Sequence, residues 1–177
     1  MTDRSPASGG GFSAYRITLT AMLAGLALIF SYIEAILPFQ SGIPGVKLGL
    51  ANLVVLVALY RLGPRYAIAV NVVRVLMAGL LFTGLFGMVY SMAGSLVSFL
   101  VMYLCFRSGL FSVIGVSLAG GVAHNFGQLA VAAFIVSTAR IFLYFPVLLF
   151  SGMAAGIVVG IGAYILIGRI PDQIFRR

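Results

Sequence analysis

The chain has 177 residues, 62% of them hydrophobic and 8% charged, with a mean hydropathy of +1.18. A soluble domain carries roughly a quarter charged residues, so a water-soluble fold is excluded. Three acidic residues, Asp3, Glu34 and Asp172, are too few for the paired carboxylates of a hydrolase or a divalent-metal site. One His and one Cys leave no material for a zinc site or a disulfide framework. The expectation is a protein that is not an enzyme and holds no cofactor or metal. The net charge of +8 is spread between long apolar runs rather than gathered on one stripe, which points away from a nucleic-acid partner.

In chain order, residues 1–15 form a polar, Gly-rich tail. The apolar run that follows continues past about twenty residues, longer than a secretory h-region, and reads as a retained helix. A bilayer core of about 30 Å takes about 20 helical residues, and roughly six such segments fill residues 16–168. The predicted segments are Arg16 to Leu37, Leu48 to Leu62, Tyr66 to Phe82, Met88 to Phe106, Leu110 to Val136 and Ile141 to Gly168. Breakers separate them: Pro38 with Gly42, Pro44 and Gly45; Gly63-Pro64; Thr83-Gly84 with Gly87; Arg107-Ser108-Gly109; and Ser137 to Arg140. The second and third segments are short and are expected to be shielded from lipid by their neighbours. Residues 169–177 form a basic tail suited to an anionic leaflet. The predicted fold is an all-α integral membrane bundle of six transmembrane helices.

Cytoplasmic loops hold the excess of Lys and Arg. With the N-terminus inside, Arg4, Arg16, Arg61, Arg65, Arg107, Arg169, Arg176 and Arg177 fall on the cytoplasmic side, and only Lys47 and Arg140 fall outside. Both termini are therefore predicted to be cytoplasmic, in a cell membrane. No segment is left for a nucleotide-binding domain, so any energy input comes from a partner or an ion gradient.

Ionisable groups in hydrocarbon cost about 2.5 to 3.5 kcal/mol each on insertion scales, so each asks for a reason. Glu34 lies near the outer end of the first helix, and Lys47 and Asn52 open the second on the same side. His124 and Gln128 share one face of the fifth helix at i and i+4, with Asn125 beside them. These groups share the outer half of the membrane and suggest an outward-facing pocket. Asn71 and Arg74, at i and i+3, share an inward face, but counting places Arg74 well below Glu34, against a direct ion pair. Each residue also has a plainer reading: Arg74 bonded to backbone carbonyls, His124, Asn125 and Gln128 tying helices together, Glu34 in the headgroup region. Small residues recur at helical spacing in the first helix (Thr20, Ala21, Ala24, Gly25), the fourth (Ser91, Gly94, Ser95, Ser98), the fifth (Ser117, Gly120, Gly121) and the sixth (Ser151, Gly152, Ala155, Gly156, Gly160). Such spacing permits close approach of helices, internal or to another subunit.

The stretch from Ile43 to Asn52, Gly63-Pro64-Arg65, Val73 to Leu76, Ala123-His124-Asn125-Phe126-Gly127-Gln128 and Pro146 to Leu149 with Ser151-Gly152 resembles the bacterial Gx transporter family, often labelled heptaprenyl diphosphate synthase component I. That family is similar to the S components of energy-coupling factor transporters, six-helix proteins that capture a vitamin-like solute and dock on a T subunit and two cytoplasmic ATPases. The resemblance implies a substrate-binding subunit with Lys47 and Asn52 beside the pocket; with the rare polar residues above, the candidate substrate-binding set is Glu34, Lys47, Asn52, Arg74, His124, Asn125 and Gln128. It makes the Pro38 to Val46 loop a lid and Ala21 and Gly25 the face toward the T subunit. The synthase label meets a chemical objection: prenyl elongation holds magnesium on aspartate-rich motifs, and Asp3 and Asp172 stand in the two polar tails. An alternative is a membrane subunit serving quinone or prenyl biosynthesis or a flavin or quinone electron-transfer complex.

Overall fold

The computed structural model describes residues 14–36 and 48–175. These fold into six α-helices: α1 (Ala14–Ile36), α2 (Leu50–Arg61), α3 (Pro64–Ala78), α4 (Gly84–Ser108), α5 (Val113–Val136) and α6 (Phe145–Arg169). No strand occurs among the described residues. Four helical stretches are long and apolar enough to cross a membrane: Ala14–Ile36, Pro64–Ser108, Val113–Val136 and Ala139–Arg169.

The 45-residue stretch Pro64–Ser108 is a hairpin. Asn71 on α3 bonds the backbone of Ser95, and Gly79 abuts Met88, so the two arms run in opposite directions. The reversal is a π-helical turn, Gly79–Thr83, closed by Gly84 at φ +70°, a left-handed conformation that disfavours side chains with a Cβ. Gly87, expected within the break, lies inside α4. The last boundary also shifts: Ser137 ends α5, a 3-10 turn covers Ala139–Tyr144, and α6 starts at Phe145 with Pro146 in its first turn, where a missing N–H costs nothing.

α2 has 12 residues, about 18 Å of helix, too short to cross hydrocarbon alone. It is instead the centre of the bundle, with seven buried residues from Ala51 to Leu59. Gly49, at its start, packs against Val159 near the middle of α6, and Asn52 reaches Ser98 near the middle of α4. The helix therefore begins at mid-depth and ends at Arg61 on the same end as the close of α4 and α6.

α4, α5 and α6 pack through the small residues singled out in the sequence. A Cβ on Gly121 would stand 2.4 Å from the Gly152 carbonyl oxygen, and one on Gly156 2.7 Å from the Leu118 Cα. The α4–α5 seam adds Ser98 Oγ donating to the Gly120 carbonyl at 2.8 Å. These repeats are internal seams. α1 divides: Ala24 and Ala27 are buried, whereas Ala21 and Gly25 are exposed and a Cβ on Gly25 would meet nothing within 4 Å.

Arg16, Arg61, Arg65, Arg107 and Arg169 gather at one end of the bundle, since α1, α3 and α5 start there and α2, α4 and α6 finish there; Arg140 stands at the other end. Arg16 lies over the Tyr66 ring at 5.9 Å. Arg61 donates to the carbonyls of Ile167 and Ile170 and faces the Phe175 ring, pinning the C-terminal segment back onto the bundle.

Gly121→Ala is expected to destabilise the protein by about 1–3 kcal/mol through overpacking, because the contact is with backbone that cannot rotate away. Gly25→Ala should leave the melting temperature of the detergent-solubilised protein unchanged. Equal melting of the two variants would contradict the seam.

Candidate functional site

A cavity of about 110 Å³ lies at the centre of the bundle and takes lining residues from all six helices. Its rim includes Glu34 and Ala35 of α1 with Phe82 and Thr83 of the π-turn, all at the Arg140 end, and its floor reaches Ser117 and Val159. The space exists because α2 starts at mid-depth and leaves the column above its N-terminus open. Such a volume holds several waters or a small organic molecule.

Five of the seven sequence-predicted pocket residues meet there: Glu34, Asn52, Arg74, His124 and Asn125. Lys47 and the Pro38 to Val46 loop lie outside the described residues. Gln128 is a correction. It is 1% exposed and is not part of the lining; its Cγ fills the space beside Gly94 in the α4–α5 seam. Sharing a helix face with His124 does not carry it to the cavity, although both side chains stand against Gly94 of α4.

Glu34 has a defined partner. Its Oε1 accepts the Leu50 amide at 2.9 Å, and Leu50 is the first residue of α2, whose N-cap Gly49 has no side chain to do so. The carboxylate thus meets the positive end of the α2 dipole. Asn52 donates to Ser98 Oγ at 3.4 Å, and its buried Oδ1 has no hydrogen-bond partner among the described residues.

Arg74 is buried and lines the cavity. Its Nε and Nη2 both donate to Asn71 Oδ1, at 3.2 and 3.0 Å, and Asn71 Nδ2 donates to the Ser95 carbonyl at 3.1 Å. The reading of Arg74 as bonded to neighbouring carbonyls is replaced by this side-chain pair. The depth estimate also changes, since Arg74 and Glu34 border one cavity. Counting gives the height of a Cα on one helix, whereas the guanidinium ends a long side chain beside a helix that stops short. Glu34 acts on Arg74 electrostatically, with no direct ion pair within 4 Å.

Asn125 has two roles. It lines the cavity, and its Nδ2 donates to the Leu148 carbonyl at 2.7 Å and to Ser151 Oγ at 3.4 Å, tying α5 to α6. The hydroxyl residues Thr83, Ser91 and Ser117 also line the cavity and were not among the predicted site residues. Their only signal is helical spacing, which they share with the packing serines Ser95 and Ser98.

A family model described as heptaprenyl diphosphate synthase component I matches residues 23–166. The chain belongs to that family, the Gx transporter family. No curated protein and no solved structure matches it. The match covers α2 to α5 whole and most of α1 and α6, so every element that borders the cavity falls within it. The synthase description notwithstanding, this Gx family member is a helical membrane protein.

Replacing Glu34 by Ala should cost about 1–2 kcal/mol, the loss of a helix cap, and should speed amide exchange at Leu50. Glu34→Gln, which keeps an acceptor, should lose less. Unchanged exchange at Leu50 in Glu34→Ala would remove the capping role.

Proposed function

We propose that this Gx transporter family protein is the membrane-embedded solute-binding subunit of an energy-coupling factor type importer, an S component that captures a small solute from outside and relies on a separate T subunit and ATPases. The observation that carries the reading is the convergence of Glu34, Asn52, Arg74, His124 and Asn125, a large part of the chain's scarce polar groups, on one central cavity. Polar side chains placed in hydrocarbon are expensive, and a solute pathway accounts for their gathering at one cavity.

Three further features support it. The cavity rim lies at the end opposite the five gathered arginines, so the positive-inside rule turns the rim outward and the N-terminus inward. A six-helix bundle with both termini on the cytoplasmic side fits that arrangement. Ala21 and Gly25 leave a small-residue patch on the outer face of α1, where another helix can approach closely. The bundle itself offers no domain for nucleotide hydrolysis, and this work falls to partners.

Two variants separate capture from docking. His124→Leu should lower the amount of small molecule retained by the purified protein more than about tenfold while leaving membrane insertion intact. Gly25→Trp should leave retention unchanged and reduce co-purification with the T subunit and ATPases. Co-purification of the wild-type chain with quinone or flavin redox proteins in place of those partners would replace the importer reading with a redox-complex subunit.

A further inference from the structure

We infer that the cavity holds its solute by an anionic group, a carboxylate or a phosphate, on the guanidinium of Arg74, and that Asn71 is the positioning residue that aims this guanidinium without neutralising it. The inference rests on the solute-binding reading and names the chemical class of the solute.

Arg74 is 9% exposed and lines the cavity. Two of its nitrogens, Nε and Nη2, are spent on a single oxygen of Asn71. That pair occupies one edge of the planar fork. The remaining edge, Nη1 with the second hydrogen of Nη2, makes no hydrogen bond with the described residues, and it is the edge that matches the two oxygens of a carboxylate or phosphate.

The holder is an amide. Asn71 is fully buried and is itself fixed by the Ser95 carbonyl, so it sets the direction of the guanidinium as firmly as a carboxylate would. It leaves the positive charge uncancelled. An aspartate differs from asparagine by one atom and would neutralise the guanidinium in place, yet the chain keeps a charged group in hydrocarbon next to a neutral one. The one carboxylate among the described lining residues, Glu34, is held at the Leu50 amide and makes no ion pair with Arg74. The N-terminus of α2 also borders this space, but the Glu34 carboxylate already caps it, which leaves Arg74 as the group on which an anion is held. The other walls, Val75, Ala78, Ala155 and Val159 among them, are apolar, which suits a solute whose remainder is largely apolar.

The test uses the full chain, purified gently into nanodiscs from cells in rich medium. Water-soluble molecules released on denaturation are measured by mass spectrometry against empty nanodiscs for the wild type, Arg74→Gln and Asn71→Asp. The wild type is expected to release a solute bearing an acidic group, whose mass tells carboxylate from phosphate, and both variants to release at least about tenfold less. Asn71→Asp turns an acceptor oxygen toward the Ser95 carbonyl to which Asn71 donates, so membrane insertion and a monodisperse elution profile, not an unchanged melting point, show that its loss of solute is not a loss of fold. A neutral or cationic solute in the wild type, or undiminished acidic solute in Arg74→Gln or Asn71→Asp, overturns the inference while solute binding stands. No solute enriched in the wild type overturns the solute-binding reading itself.

Discussion

A twelve-residue helix enclosed in a bundle built for a membrane sets the rest of the structure. α2 covers about 18 Å and begins at mid-depth, and the Leu50 amide at its start lies beyond the reach of the helix's own carbonyls. Glu34 reaches across from α1 to accept the Leu50 amide, and this one bond lets a helix start inside the bundle. The open column above that start is the cavity. Its polarity follows from the same cause: a helix N-terminus in a low-dielectric setting attracts the few polar groups the chain can supply.

The bundle walls are closed by close approach of backbones. In lipid there is little hydrophobic drive between helices, so association rests on packing and interhelical hydrogen bonds. The α5–α6 seam, through Gly121, Gly152, Gly156 and Gly160, brings main chain against main chain, and Asn125 ties the rim end of the seam to the Leu148 carbonyl. α4 joins through Gly94 and through Ser98, which bonds Gly120 on one side and receives Asn52 from α2 on the other. A rigid three-helix wall thus faces α1 and α3, which are less enclosed and carry Glu34 and Arg74. The two charged groups sit on the side of the cavity away from the tightest packing.

The family label and the architecture describe different things. A prenyl diphosphate site needs clustered aspartates, and the lining described for this chain has one carboxylate, already engaged by a helix start. What the lining does possess is a guanidinium, a histidine, amides and hydroxyls around an apolar chamber, a set suited to recognising a solute.

Much of this was legible beforehand, for definite reasons. Apolar runs broken by Gly and Pro place the helices to within a few residues, because hydrocarbon permits only backbone whose bonds close locally. The alternation of Arg and apolar stretch places five arginines at one end. The rarity of polar residues marks Glu34, Asn52, Arg74, His124 and Asn125 before any coordinates, since each costs too much to be incidental. Tertiary structure alone decided the rest. Gln128 and His124 share a face by spacing and both stand against Gly94, yet of the two His124 is the one that lines the cavity. Arg74 and Glu34 differ in height by counting, yet border one space, because side-chain reach and the truncated start of α2 are relations between helices. Whether a small residue packs inward, as Gly121 does, or faces out, as Gly25 does, depends on what stands opposite, and local sequence carries no record of that.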